Sequence, residues 1–391
     1  MSDYLGWIAD ELRSLEVDGL RRRRRQVIPL PGGQCLVDGH SVWDFASNDY
    51  LGLANDPRVV AAAEAALRTH GVGSKASPLV SGRTDLHAKL ERTLAEFEGA
   101  EAAIVFPTGM AANVGTVSAL AGAEDVVFSD RLNHASLIDG CRASGARVRI
   151  YRHDDLESLN ASLARETGRR KYIVTDSVFS MDGDLAPLPE LCELGERHQA
   201  AVIVDEAHGT GVFGERGRGV AEHQGVEARV AVRIGTLSKA IGTIGGFVTG
   251  DQSLVDYLWN KARTQIYSTA LPPAICAAAI AAIEIIRTEP ERRIHLHALS
   301  VSFRDQLQQF GIATYPGSIG PIVPIVMHQP EAAVCVADQL LEAGFFVGAI
   351  RPPTVPRGTS RLRICLHHGI PTDVTKSLAM AIARASHVEN R

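Results

Sequence analysis

The chain has 391 residues, a formal net charge of −5, 45% hydrophobic and 22% charged residues. That is length enough for two or three domains with real cores, and it excludes a disordered tail protein. With no general basic field, non-specific attraction to nucleic acid is excluded too, and partners must be read from particular sites.

In chain order, "MSDYLGWIADELRSLEVDGL" carries acids from its start and lacks an apolar core with a small-residue cleavage site. It is no secretory signal, and a cytoplasmic protein is expected. Arg21 to Arg25 form the strong charge run. It reads as a solvated helix end or connection, or as a run from which one arginine turns toward an anionic substrate. No aromatic residues interleave with the arginines, which speaks against nucleic acid. Residues 1–46 are expected to form a helix and a short hairpin, tied to a smaller domain or to a partner subunit.

From about residue 100 to 285, apolar β-branched runs alternate with helical segments, the pattern of a mostly parallel sheet covered by helices. "AAIVFP", "DVVFS", "KYIVTDSV", "AVIVDEA", "RVAVRIG" and "GGFVTG" are the expected strands. The apolar stretch Leu271–Ile283 is too short to cross a bilayer and ends in Glu284, so it reads as a buried helix and no membrane partner is expected. A second α/β pattern follows, with strands "IVPIVM", "FFVGAI" and "SRLRICL". The expected fold class is therefore α/β, with a large domain over 47–285 around a mostly parallel central sheet and a smaller C-terminal α/β domain over 286–391. Six cysteines (35, 141, 192, 276, 335, 365) form no C-x-x-C pair, which suits reduced structural thiols; no metal is expected.

Loops at the carboxyl ends of parallel strands are where ligands bind, and five of them carry matched chemistry. Asp205 ends the strand in "IVDEAHGTG", and Lys239 follows another strand in "GTLSKAIG". A lone acid after "VIV" would read as structural. With a lysine in a desolvated pocket it gains a function, because a lysine can form a Schiff base and act as a base. Pyridoxal phosphate joins these roles: its aldehyde takes the lysine, and an aspartate facing the ring nitrogen keeps the ring an electron sink. In "FPTGMAAN", Thr108, Gly109 and Met110 open a helix whose N–H groups can cradle phosphate, and Thr236 and Ser238 add hydroxyls. His134 in "SDRLNHASL" stands where an imidazole can stack on the ring, and Ser180 in "SVFSMDGD" where a hydroxyl can meet the ring oxygen. "GTGVFG" matches the dinucleotide fingerprint literally, but "ERGRG" stands where an apolar helix should open, so a nicotinamide site is rejected.

These stretches, with "FASNDYLGLAND", "NHASLIDG", "DEAHGTGVFGERGRG", "IYSTALPP" and "AIRPPTVPRGTSRLR", resemble the α-oxoamine synthases, a group of the fold-type I pyridoxal-phosphate transferases, over nearly the whole chain. The resemblance implies that Lys239 is the Schiff-base lysine, Asp205 the partner of the ring nitrogen and His134 the stacking group. It implies that His208 and Ser180 meet the ring hydroxyl oxygen, with Gly109, Met110, Thr236 and Ser238 around the phosphate. Ser268 and Thr269 would reach that phosphate from a neighbouring subunit, which makes the expected assembly a homodimer with shared active sites. Asn48 and Arg363 would bind the amino acid carboxylate, while Arg351 and Thr354, with Arg21 or Arg22, would flank the acyl chain or its far carboxylate.

Within the group, "RPPTVP" points to condensation of L-alanine with a pimeloyl thioester carried on coenzyme A or acyl carrier protein, with loss of carbon dioxide. Lys239 would take the α-proton, and the resulting carbanion would attack the thioester. The alternative is glycine with an acetyl thioester, or another acyl donor. Three places depart from the group. Ala76 and Pro78 replace its usual glycine and arginine, with Lys75 adding a charge; Met110 replaces a common aromatic; and "CLHHGIP" replaces a small-residue run.

Overall fold

The computed structural model describes residues 4–388, and they fall into two units. The larger comprises 48–180 and 184–294; the smaller joins the N-terminal segment through Ser47 and Met181–Gly183 to the chain from His295 onward. The expected boundary after residue 285 lies inside the helix Pro273–Thr288.

The smaller unit begins with the helix Trp7–Val17, followed by strands β1 (Val27–Pro29), β2 (Gln34–Val37) and β3 (His40–Phe45). Asp38 and Gly39, both at positive φ, turn β2 into β3, the Asp-Gly chemistry that two-residue hairpins require.

The larger unit contributes β4 (Ala102–Phe106), β5 (Val126–Asp130), β6 (Arg147–Tyr151), β7 (Lys171–Asp176), β8 (Ala200–Asp205), β9 (Val232–Thr236) and β10 (Gly246–Gly250). They form a seven-stranded sheet in the order β4-β10-β9-β8-β7-β5-β6. Only β10 runs antiparallel to its neighbours. β4, β5 and β9 are buried at every position, as strands covered on both faces must be, and the charge of Arg233 in β9 is met by the buried Glu98. All the parallel strands therefore end on one edge, and the order of the sheet fixes which loops meet there.

Helices in this unit follow their end signals. Asp56 caps Pro57–His70, with Pro57 at the first position, basic residues in the last turn and Gly71 beyond. The apolar helix Pro273–Thr288 buries Cys276, Ala279, Ala282, Ile283 and Ile286 and packs on Pro57–His70 and Asp85–Glu98. A helix apolar on most of its faces belongs inside. Gly109–Leu120 lies against Ala135–Ala143, and a Cβ at Gly140 would come within 3.1 Å of the Asn113 carbonyl and of Val117. The missing side chain lets the two helices approach.

The chain from His295 completes the smaller unit with β11 (Ile322–His328), β12 (Phe345–Ile350) and β13 (Ser360–Cys365). They extend the N-terminal hairpin into a six-stranded sheet, β1-β2-β3-β12-β13-β11, in which β3 and β12 are parallel. A buried ion pair between Arg361 and Asp182 ties Met181–Gly183 to β13. None of the six cysteines is joined in a disulfide.

Candidate active site

Three adjacent parallel strands of the larger unit, β5, β7 and β8, end in carboxylates: Asp130, Asp176 and Asp205. All three are buried, and Asp176 and Asp205 stand opposite each other in the ladder. Buried carboxylates need partners, and each has found a different one.

Asp205 Oδ1 accepts the Ala207 N–H at 2.8 Å and Oδ2 accepts Asn113 Nδ2 at 2.6 Å. Asp176 accepts the His134 backbone N–H at 2.6 Å. Burial, and then the neighbouring charge of Asp205, push its carboxyl well above the usual range. Asp130 lies 3.1 Å from His153 Nδ1, whose Nε2 is 2.7 Å from Asp184. Burial would lower the His153 pKa, but these two hydrogen-bonded carboxylates outweigh it and hold the imidazolium up to about 10. His153, Asp154 and Asp184 bring possible metal ligands within 4.8 Å of one another, but His153 is already occupied as the cation between two acids.

Lys239 sits half-buried in the turn after β9. Its charge reaches both neighbours, lowering the pKa of His134 after desolvation has done so, and opposing the upward shift of Asp176. The glycine behind it is obligatory. Gly242 has φ 72° and donates to the Lys239 carbonyl at 2.8 Å, and a Cβ there would lie 2.5 Å from the Ala54 nitrogen.

Beside the lysine, Thr236 Oγ1 is 2.8 Å from Ser238 Oγ. A Cβ on Gly109 would come within 3.1 Å of the same Thr236 oxygen, so the hydroxyls lie against the start of the Gly109–Leu120 helix. Thr108 caps that helix, its side chain accepting from Ala111 N–H at 3.0 Å. Gly109 and Met110 supply the N–H groups at the open helix end, the kind of end that binds anions. Met110 keeps 55% of its surface exposed. His134 caps Ala135–Ala143 and is itself exposed.

The remaining expected residues of this unit are placed as follows. Tyr50 OH is 2.7 Å from His208 Nδ1 and 3.2 Å from Asn48 Oδ1, so one phenol gathers both. Ser180 lies in the turn between the bridge partners Val178 and Leu185. Ser268 is half-buried and Thr269 exposed, and neither joins the hydrogen-bonded cluster around Thr236 among the described residues.

In the smaller unit, Arg22 Nη2 approaches Thr354 Oγ1 at 3.4 Å and Arg351 Nη2 donates to the Arg21 carbonyl at 2.8 Å. The Arg21 guanidinium pairs with Glu16 at 3.0 Å. Burial, and then the Arg22 charge, lower the Arg351 pKa. Arg21, Arg22 and Arg351 line a cavity of about 730 Å³. Arg363 is buried on β13, with Nη1 2.9 Å from Cys365 Sγ.

The residues that the motifs did not single out are Asn113, Ser136, Asp176 and Tyr50. Asn113 and Ser136 lie within "FPTGMAAN" and "SDRLNHASL", and the position of Asn113 one helical turn beyond Gly109 was the available signal. Altogether, an amine, a fixed buried acceptor and a helix start lined with hydroxyls complement an aldehyde, a basic ring nitrogen and a phosphate. The donor set fits pyridoxal phosphate.

Comparison with known proteins gives the same answer. Residues 40–382 match the model of the aminotransferase class I and II family. The 8-amino-7-oxononanoate synthase of Anaeromyxobacter dehalogenans (strain 2CP-1) is 50% identical over 362 residues, covering 93% of this chain and 91% of its own. Serine palmitoyltransferase from S. paucimobilis, solved with a bound pyridoxal phosphate–myriocin aldimine, superposes with a TM-score of 0.94 at 32% identity, covering 100% of this chain and 98% of that one. The 8-amino-7-oxononanoate synthase of Francisella tularensis gives a TM-score of 0.77 at 28% identity, covering 90% and 99%.

Proposed function

Since the chain belongs to the aminotransferase class I and II family and, within it, to the pyridoxal-phosphate-dependent α-oxoamine synthases, we propose that it makes 8-amino-7-oxononanoate. The substrates are L-alanine and a pimeloyl thioester on coenzyme A or acyl carrier protein, and carbon dioxide and the carrier thiol are released. The observation that carries this reading is the electrostatic cluster of Lys239, His134, Asp176 and Asp205 at the strand ends, in a chain half identical to an enzyme of that name.

Pyridoxal phosphate, when bound, supplies an aldehyde for the substrate amine and a ring that takes up the electron pair left at the α-carbon. Lys239 Nζ would hold the cofactor through its aldehyde and, as a free amine, would take the α-proton of L-alanine. Asp205, held by Ala207 and Asn113, would accept from the ring nitrogen of the cofactor. His134 would cover a ring face and offer a hydrogen bond to the carboxylate or thioester oxygen. His208 and Ser180 meet the ring hydroxyl.

The N–H groups of Gly109 and Met110 and the hydroxyls of Thr236 and Ser238 hold the phosphate. Ser268 and Thr269 of a second copy complete it in a homodimer. The exposed apolar residues Met110 and Tyr267, on the same segments as the phosphate and neighbour contacts, support that assembly. Asn48 and Arg363 bind the amino acid carboxylate. Because the Arg21 guanidinium is engaged by Glu16, Arg22 is the arginine that joins Arg351 and Thr354 on the acyl chain or its far carboxylate. A cytoplasmic site, where coenzyme A and acyl carrier protein thioesters are at hand, is the location that goes with this reading. None of the described helices is long and apolar enough to cross a membrane.

The test is mass spectrometry of products from the cofactor-loaded protein given L-alanine with pimeloyl-CoA or pimeloyl acyl carrier protein, beside glycine with acetyl-CoA and L-serine with palmitoyl-CoA. The expected product is 8-amino-7-oxononanoate. A product from either control pair alone would overturn the substrate assignment while leaving the cofactor chemistry in place.

A further inference from the structure

A continuous chain of hydrogen bonds, buried from Asp205 as far as Ser136, joins the two groups assigned to opposite parts of the cofactor ring. Asn113 Nδ2 lies 2.6 Å from Asp205 Oδ2 and 2.8 Å from Ser136 Oγ. Ser136 Oγ lies 2.6 Å from His134 Nδ1, and the Ser136 backbone N–H points at the same nitrogen from 3.3 Å. Asn113 and Ser136 are buried at 3% and 1% exposure, so the links from Asp205 to Ser136 are shielded from water, and His134 closes the chain at the surface. It spans three separate elements, β8 and the two packed helices, and the glycine at 140 is what lets those helices approach.

The direction of each bond follows from donor and acceptor chemistry. Both oxygens of Asp205 act as acceptors, so the Asn113 amide must turn its NH₂ group toward that carboxylate. One amide hydrogen goes to Asp205 and the other to Ser136 Oγ. The serine oxygen, already accepting, has its own proton left to give, and His134 Nδ1 is the acceptor within reach. The backbone N–H of Ser136 aims at that nitrogen as well. A ring nitrogen receiving two donors carries no proton, so the proton of the neutral imidazole sits on Nε2. The cost of this arrangement is visible: Asn113 Oδ1 is buried without a hydrogen-bond partner, a sign that Asp205 dictates the amide orientation.

We infer that Asn113 and Ser136 are positioning residues that read the carboxylate of Asp205 and hold His134 in the Nε2–H tautomer, so that His134 works as a hydrogen-bond donor at the ring and not as a base. This rests on the placement of His134 and Asp205 against the cofactor proposed above. The groups acting on the imidazole are Asp205 and Asp139, which favour its charged form, Lys239, which opposes it, and Asp176, which accepts the backbone N–H of the same residue. Desolvation, the first of these influences in size, and the lysine together keep the pKa of His134 below its ordinary value.

The experiment is two-bond ¹H–¹⁵N correlation of the histidine side chains in ¹⁵N-histidine-labelled, cofactor-loaded full-length protein. His134 is assigned by the signal lost in His134→Gln. The expected result is a protonated Nε2 and an unprotonated Nδ1 in the wild type, a mixture of tautomers in Ser136→Ala and Asn113→Leu, and the wild-type pattern restored in Ser136→Thr, which keeps the hydroxyl. A protonated Nδ1 in the wild type, or an unchanged pattern in a folded Ser136→Ala protein, overturns the inference; should that variant not fold, the wild-type shifts decide alone. The readout does not depend on the acyl substrate. Predicted shifts in a protein that makes no 8-amino-7-oxononanoate would leave the relay standing and sink the substrate reading, and condensation with Nδ1 protonated would do the reverse.

Discussion

Replacing His153 by glutamine removes the cation held between Asp130 and Asp184 and leaves two carboxylates facing an uncharged amide. The contact distances of 3.1 and 2.7 Å and the 16% exposure of the imidazole mark this as a partly desolvated bridge. With the histidine pKa raised from 6.5 to about 10, linkage at ~1.4 kcal/mol per unit sets a ceiling of roughly 5 kcal/mol on the stabilisation. A folded-state pKa above the unfolded one gives stability that is fully present below pH 6.5 and is lost as pH rises through about 10. The wild-type advantage over His153→Gln should therefore be greatest near pH 6 and shrink by about 1.4 kcal/mol for each pH unit above 7. Urea unfolding of both proteins at pH 6, 8 and 9.5, followed by circular dichroism, measures the difference directly. An advantage that stays constant across that range would refute the imidazolium bridge and leave His153 as a packing residue, in keeping with its edge-on contact with Phe179 at 4.2 Å.

Lys239→Ala should abolish condensation and the absorbance band of the lysine-linked cofactor while leaving the far-ultraviolet circular dichroism unchanged; residual product above background by mass spectrometry would count against its role. Lys75 holds φ 64°, a region that suits glycine, so Lys75→Gly should be neutral or stabilise by up to about 1 kcal/mol, and a loss of stability in thermal unfolding would show that the side chain makes a contact worth more than the strain. Arg22→Ala should raise KM for pimeloyl-CoA at least about tenfold, in line with loss of a charge-assisted hydrogen bond. Arg21→Ala, which releases Glu16 instead, should change KM by less than about threefold, and the reverse order in steady-state kinetics would exchange the two arginines.

What could be read from the sequence was what a single strand or turn announces by itself. β8 is an apolar run and β9 follows it in the alternating strand-helix pattern, so the residues that end them, Asp205 and Thr236, read from the sequence as lying at the sheet edge. The cap positions of Thr108 and His134 follow from the same local grammar. The boundary between the units was less legible, because Pro273–Thr288 and Glu291–Gln309 are separated by only two residues and the division falls within the second helix. Pairings across the fold were not legible at all. Nothing in "FPTGMAAN" says that Asn113 meets Asp205, 92 positions away, and nothing in "SNDY" says that Tyr50 meets His208. Those contacts depend on strand order, which local patterning does not encode.

Strand order also explains why three acids at adjacent strand ends can coexist. β5, β7 and β8 are neighbours, so Asp130, Asp176 and Asp205 crowd one edge where like charges repel. The fold disposes of the first with the imidazolium of His153 and of the second by burial that favours its protonated form. Asp205 accepts from two neutral donors, the Ala207 N–H and the Asn113 amide, one on each oxygen, and so offers the acceptor that a ring nitrogen needs. It follows that the neighbours of Asp205 bear on catalysis without touching substrate. Asp176→Asn keeps an acceptor for the His134 N–H but removes the competing acid, and should leave turnover within about tenfold of wild type, whereas Asp205→Asn should lose most of it by weakening the hold on a protonated ring. If Asp176→Asn were the more damaging of the two in kcat, the acceptor for the ring nitrogen would have to be reassigned to β7.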